Sequence, residues 1–273
     1  MPTKSQTHPF KLSATSLSCY LESPKAFYWR YIKRLEPLYP SVADFDHDKI
    51  CGSLWSEFVD AFYRHVPEKE NIERMLADWN TQTEGWCPEK PKERLTKALN
   101  AWAALYYQQF SPDDGVRNGS EKRVENERFI GYLDGLSPDE TVIHEVKSTS
   151  RSKSVSEQLW KVQNSIQVKL YAVLTKAQGV MIEFAWKDDP YDIFRAPILP
   201  IAEMQLQHWE QELNALADGI YALGNDPHNY PCHSDGCNLI TKNFVGLCNY
   251  QSLCMGIEGA EIAYKPKETK RKN

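Results

Sequence analysis

Asp134, Glu145 and Lys147 are the residues of this chain whose types and spacing most readily do chemistry. Ten residues separate Asp134 from the triplet Glu145-Val146-Lys147, and among them Ser137-Pro138-Asp139-Glu140 is a turn signal between two β-forming runs. A hairpin over Phe129 to Ser150 follows. Folding it back brings Asp134 near Glu145. The two-residue period of a strand then sets Glu145 and Lys147 on one face and Val142, His144 and Val146 on the other. Two carboxylates and an ammonium meet at one edge of a sheet. Carboxylate oxygens, waters and a substrate phosphate are the ligand set that Mg2+ prefers, and a lysine beside them orients or helps deprotonate a water. The same residues also suit a solvent-exposed hairpin without a metal, so spacing alone leaves both readings open.

The elements that must position these residues are legible on either side. Ser13 and its hydroxyl neighbours are able to cap a helix carrying Leu17, Tyr20 and Leu21, and Pro24 opens a second helix with Phe27, Tyr28, Tyr31 and Ile32 on its apolar face. That aromatic stripe reads as core. Residues 35–50 read as loop. Amphipathic helices follow from Lys49 to about His65, through Leu54, Trp55, Phe58, Val59 and Phe62, and from Leu95 to Phe110, with a polar, Pro-bearing break at 81–92. After Asp113-Asp114-Gly115 the pattern changes. Segments near 120–125, 128–136, 141–149, 179–187 and 192–199 read as strands, with one helix from about Ser154 to Ala177 among them. Helix returns between Ala202 and Leu223. The expected organisation is a helical part at 1–112, an α/β core at 113–200, a helix and Cys-bearing region at 201–264, and a disordered basic tail at 265–273, in one structural domain.

Composition bounds the partners. The chain of 273 residues is 41% hydrophobic and 12% aromatic, enough for a real core. No run approaches a membrane span and the first ten residues lack a signal peptide's apolar segment, so a cytoplasmic protein without a membrane partner is expected. Seven cysteines, four of them between 232 and 254, fit a reducing compartment in which thiols bind metal. A net charge of -5 excludes a protein that coats nucleic acid by bulk charge. Local basic clusters remain: Lys25, Arg30, Lys33 and Arg34, then Lys147, Arg151 and Lys153.

The helix after the Glu-x-Lys strand carries Gln167 and Tyr171, four apart and so on one face. The ordered set, Asp134 in Gly-Tyr-Leu-Asp-Gly, Glu145-Val-Lys147 and Gln167-x-x-x-Tyr171, resembles the signature of the PD-(D/E)xK nuclease superfamily. The likeness is to its RecB-like branch, with AddB nuclease domains, CRISPR-associated exonucleases and phage exonucleases as relatives, and it runs from about residue 13 to 254. It implies an α/β, restriction-endonuclease-like core with a mixed central sheet flanked by helices, a helical N-terminal region and a Cys-bearing C-terminal region. It implies Mg2+ or Mn2+ held by Asp134, Glu145 and the Val146 carbonyl, with Lys147 positioning or activating water and Gln167 and Tyr171 beside the scissile phosphate. DNA is the implied substrate; whether a helicase or recombinase partner delivers it is left open by the sequence.

Two departures bear on that reading. The family's Gly-x-x-x-His helix motif matches Gly52-Ser53-Leu54-Trp55-Ser56 here, so Ser56 stands in the histidine's place. The family's iron-sulfur cysteines match Cys237, Cys248 and Cys254, but Ser23 precedes Pro24 where the N-terminal cysteine belongs, and Cys19 lies one helical turn earlier. Three outcomes are open: Cys19 completes a 4Fe-4S cluster, Cys232 joins the C-terminal three in a structural Zn2+ site, or the site holds nothing. The expected function is a metal-dependent DNA exonuclease or end-processing enzyme of recombination, repair or phage DNA metabolism. The alternative is a non-catalytic DNA-binding or complex-forming protein that keeps the nuclease fold.

Overall fold

Ser13 opens the first helix. Its side chain accepts from Ser16 N at 3.2 Å while Ser16 Oγ accepts from Ser13 N at 2.8 Å, a reciprocal cap that satisfies two otherwise unpaired amides. The computed structural model describes residues 10–37, 47–85, 89–117, 121–151, 154–231, 238–241, 244–247, 250–254 and 258–266. The elements in order are α1 (Ala14–Glu22), α2 (Pro24–Phe27), a π-helical turn (Tyr28–Ile32), β1 (Leu35–Pro37), α3 (His47–Tyr63), α4 (Glu68–Thr83) and α5 (Glu89–Gln109). Then come β2 (Lys122–Glu125), β3 (Ile130–Leu133), β4 (Gly135–Leu136), β5 (Val142–Thr149), α6 (Val155–Gln163), α7 (Ile166–Thr175), β6 (Gly179–Trp186), β7 (Ile193–Arg195) and β8 (Leu199–Pro200). The chain ends with α8 (Glu203–Leu223), β9 (Asn238–Thr241), β10 (Phe244–Leu247), α9 (Gln251–Cys254) and β11 (Tyr264–Pro266). The mixed α/β architecture is of the restriction-endonuclease-like kind expected.

Contacts divide the chain into two units, residues 46–213 and residues 1–45 with 214–273. In the larger unit a sheet runs in the order β4-β5-β6-β7, with β8 also on β6. β4 and β5 are the antiparallel hairpin expected around 137–140, β5 and β6 are parallel, and β7 and β8 join β6 antiparallel. The parallel register His144↔Met181 and Val146↔Glu183 fixes which residues share a face. One face is closed by α3, α4 and α5, whose Trp55, Phe58, Phe62, Trp79 and Trp102 form one buried cluster with Val146 and Ala185 of the strands. Removing one such aromatic side chain costs about 3–5 kcal/mol. The other face meets α7, which packs on β5 and also on the β2–β3 pair.

In the smaller unit β1 pairs antiparallel with β11, and β9 with β10. Of the aromatic stripe expected as core, Phe27 and Tyr28 are buried and Tyr31 and Ile32 are half-buried. Among the described residues no helix is long and apolar enough to cross a membrane.

The structure revises several sequence expectations. The helix expected from Ser154 to Ala177 is two helices, because Ser165 caps α7 by accepting from Val168 N at 3.3 Å. At the same junction the α6 cap residue Asn164 returns its amide to Trp160 O. α5 begins at Glu89, six residues before Leu95, since Pro91 lies in its first turn, where no intrahelical amide is lost. The 35–50 loop contains β1, and α3 starts at His47. Lys265 is not in a free tail but pairs in β11 with Glu36; residues 267–273 lie outside the described residues.

Candidate active site

Asp134 occupies the single residue between β3 and β4, so the hairpin itself turns its side chain toward β5. Its Oδ2 accepts from Val146 N at 2.9 Å and its Oδ1 accepts from Ser56 Oγ, on α3, also at 2.9 Å. Asp134 is thereby tied to the Glu-x-Lys strand through the backbone of the middle residue.

Glu145 and Lys147 share the opposite face from Val146 and form an ion pair. Lys147 Nζ also donates to Gln167 Oε1 at 3.0 Å, and Gln167 Nε2 donates to Tyr171 OH at 3.3 Å. The structure thus brings together Asp134, Glu145, Lys147, Gln167 and Tyr171. The two α7 residues are on one face because they are four apart, and the Ser165 cap starts that helix at the right phase. Tyr171 is seated closely. A Cβ on Gly131 would lie 2.6 Å from its ring, so only glycine at that position of β3 admits the tyrosine.

Burial governs the electrostatics. Glu145 is 0% exposed, and desolvation pushes its carboxyl up to about 7, with Lys147 working against the rise and Asp134 adding to it. For Lys147 desolvation acts downward, but the facing Glu145 and Asp134 carboxylates outweigh it and hold the ammonium above the ordinary lysine value. Its side chain is partly exposed, while the ammonium itself is enclosed between Glu145 and Gln167. Burial, then the Glu145 charge, raises the Tyr171 phenol.

Among the described residues Glu145 Oε2 has no hydrogen-bond partner, and Oε1 meets the Lys147 ammonium. A fully buried carboxylate in that condition is costly unless a further positive charge approaches, and a hard divalent cation supplies one. The residues therefore fit Mg2+ or Mn2+. Among the described residues no group of three or more His, Cys, Asp or Glu is placed to hold an ion, so the protein's side-chain share would be the two carboxylates. Mg2+ is ordinarily held by one or two carboxylates, with waters and substrate oxygens completing its shell.

The family model for the PD-(D/E)XK nuclease superfamily matches residues 11–255. The chain belongs to that superfamily. Among solved structures it resembles a "putative exonuclease" from Eubacterium rectale at 13% identity and a TM-score of 0.51, over 91% of this chain and 96% of that one. At this identity the likeness speaks for the fold. No curated protein matches the chain. Asp134, Glu145, Lys147, Gln167 and Tyr171 all lie within the matched span.

Not all of the expected residues are within view. Cys232, Cys237 and Cys248 lie outside the described residues, as does Lys153. Cys19 and Cys254, both in the smaller unit, lie against one small core of Ala26, Tyr250, Leu253 and Ala260. Arg151 is held at the 188–192 turn by Asp192, by Pro190 O and through its amide by Asp188, and stacks 5.0 Å from the Trp186 ring centre.

Sequence reasoning missed a second polar group, on the α3–α5 face. Glu183, fully buried on β6, accepts from Arg195 Nε at 2.9 Å and lies 3.6 Å from His144 Nε2. Arg195 continues to Asp114 at 2.7 Å and Tyr63 OH at 2.9 Å, and lies over the Phe110 ring at 3.7 Å. Burial pushes Glu183 up, but His144 and Arg195 outweigh it and leave the carboxyl below its ordinary range. The sequence signal was a glutamate inside the apolar run Gly179–Trp186.

Proposed function

We propose that this chain is a Mg2+- or Mn2+-dependent deoxyribonuclease of the RecB-like branch, acting at DNA ends as an exonuclease or end-processing enzyme. The observation that carries it is the continuous series Glu145, Lys147, Gln167, Tyr171, with Asp134 tied to the Val146 amide, in a chain of the nuclease superfamily. Asp134, Glu145 and the Val146 carbonyl would hold the cation, which when bound absorbs charge developing on the phosphate and makes water a better nucleophile. Lys147, braced by Gln167, orients the attacking water. Gln167 and Tyr171 line the position of the scissile phosphate, and the exonuclease character of the Eubacterium rectale protein's name supports action at ends.

The setting would be recombination, repair or phage DNA metabolism, with a helicase or recombinase delivering the end. For the cysteines the three assignments are a 4Fe-4S cluster of Cys19, Cys237, Cys248 and Cys254, a Zn2+ site with Cys232, and no bound group. Ser56 in the histidine's place favours a second reading, a DNA-binding protein that has lost turnover.

A divalent-metal assay on 5′- and 3′-labelled linear DNA beside closed circular DNA tests both. The nuclease reading expects degradation of linear DNA alone, abolished by Glu145→Ala and Lys147→Ala. DNA binding without cleavage under any divalent cation would establish the second reading instead.

A further inference from the structure

Gly52, Ser56 and Asp60 recur every fourth residue on α3 and form one half-buried stripe between its buried and exposed faces. Each member meets the segments that carry the site. Gly52 lets the helix approach β5, since a Cβ there would lie 3.0 Å from Ser148 Oγ. Asp60 accepts from Arg117 Nη2 and from Glu121 N at 2.7 Å, and the Arg117 side chain lies against Gly135, the neighbour of Asp134. Between them Ser56 Oγ donates to Asp134 Oδ1 at 2.9 Å.

The Asp134 carboxylate is therefore gripped at both oxygens, by the helix at Oδ1 and by the Val146 amide at Oδ2. Two donors from different elements fix its rotation about the Cβ–Cγ axis and leave a second lone pair on each oxygen. The donors available to a cation here are hard oxygens. His144 sits on the opposite sheet face, 3.6 Å from Glu183, and His65 lies 3.6 Å from Asp113.

We propose, on the nuclease reading of this same site, that Ser56 is a positioning residue: it sets the Asp134 carboxylate for an all-oxygen site that favours hard cations such as Mg2+ over those that seek imidazole nitrogen. A histidine at this place would add a nitrogen donor; the serine adds none and instead orients the oxygen already there. Borderline metals gain most from nitrogen ligands, so the exchange tunes cation choice as well as affinity.

The test is Mn2+ binding followed by electron paramagnetic resonance, with Mg2+ and Co2+ as competitors, on the full-length wild type, Ser56→Ala, Ser56→Thr and Ser56→His, each checked for folding by circular dichroism. Loss of an outer-shell partner typically weakens metal binding about 10- to 100-fold. Ser56→Ala is expected to weaken Mn2+ and Mg2+ binding within that range, Ser56→Thr to bind within about threefold of wild type, and Ser56→His to raise the Co2+:Mg2+ affinity ratio by roughly tenfold or more. A folded Ser56→Ala that binds as wild type does overturns the role of Ser56 alone. If Ser56→Ala does not fold, an unchanged ratio in Ser56→His overturns it. A wild type that binds no Mn2+ overturns the nuclease reading and this role together.

Discussion

Lys147 Nζ donates a 3.0 Å hydrogen bond to Gln167 Oε1, joining the third residue of the Glu-x-Lys triplet to α7. The bond gives a flexible ammonium one defined direction. Gln167→Ala removes that brace without removing the charge, so kcat is expected to fall about 10- to 100-fold, with little change in DNA binding or melting temperature. Steady-state cleavage kinetics beside a thermal melt check it, and a melting temperature lowered in step with activity would count against a purely orienting role.

Glu145 supplies a pH prediction. Its folded pKa is raised from 4.5 to about 7 by burial, so in the metal-free protein the folded state holds its proton longer than the unfolded state does. The stability this contributes is complete below about pH 4.5 and is lost as pH rises through about 7, a cost of a few kcal/mol. A cation competes with the same proton, so its affinity is expected to climb over that window. Chemical denaturation in EDTA from pH 4 to 8 should show the loss, and Glu145→Gln should flatten it.

Gly131→Ala places a methyl group 2.6 Å from the Tyr171 ring. Overpacking of this kind costs about 1–3 kcal/mol, and the ring must leave Gln167 to relieve it. Reduced stability in urea together with reduced cleavage is the expected pair of effects, and Tyr171→Phe in the same background should restore neither.

Arg195→Ala leaves Glu183 buried without its nearest full positive charge. Breaking one side of a buried pair is expected to cost about 3–5 kcal/mol, most of it regained when Glu183→Gln is added. A double-mutant cycle by urea denaturation measures the coupling.

The site was legible where its logic is local. Asp134 and Glu145-Val146-Lys147 are joined by a short turn, and Asp139 in that turn accepts from both Ser137 and Thr141, so sequence neighbours alone specify the hairpin. Gln167 and Tyr171 were legible through helical spacing. The break at Asn164–Ser165 was not, because a capping serine inside a polar run looks like an ordinary helix surface until the amide it serves is known. Distance along the chain hid the rest: Lys265 becomes a strand residue only through Glu36, and Glu183 finds its counterion in Arg195 and its second neighbour in His144, from three strands.

The alternation of β5 has a consequence for how the protein reaches an active state. Glu145 and Lys147 face Asp134 and α7 while His144 and Val146 face the aromatic helices, so a slip of one residue against β6 would exchange the two sets. Lys147 would then be driven among tryptophans and the imidazole would take the carboxylate side of the sheet. A register that breaks up the carboxylate site is thus also an unstable one, and folding yields little protein that is well formed yet wrongly assembled there.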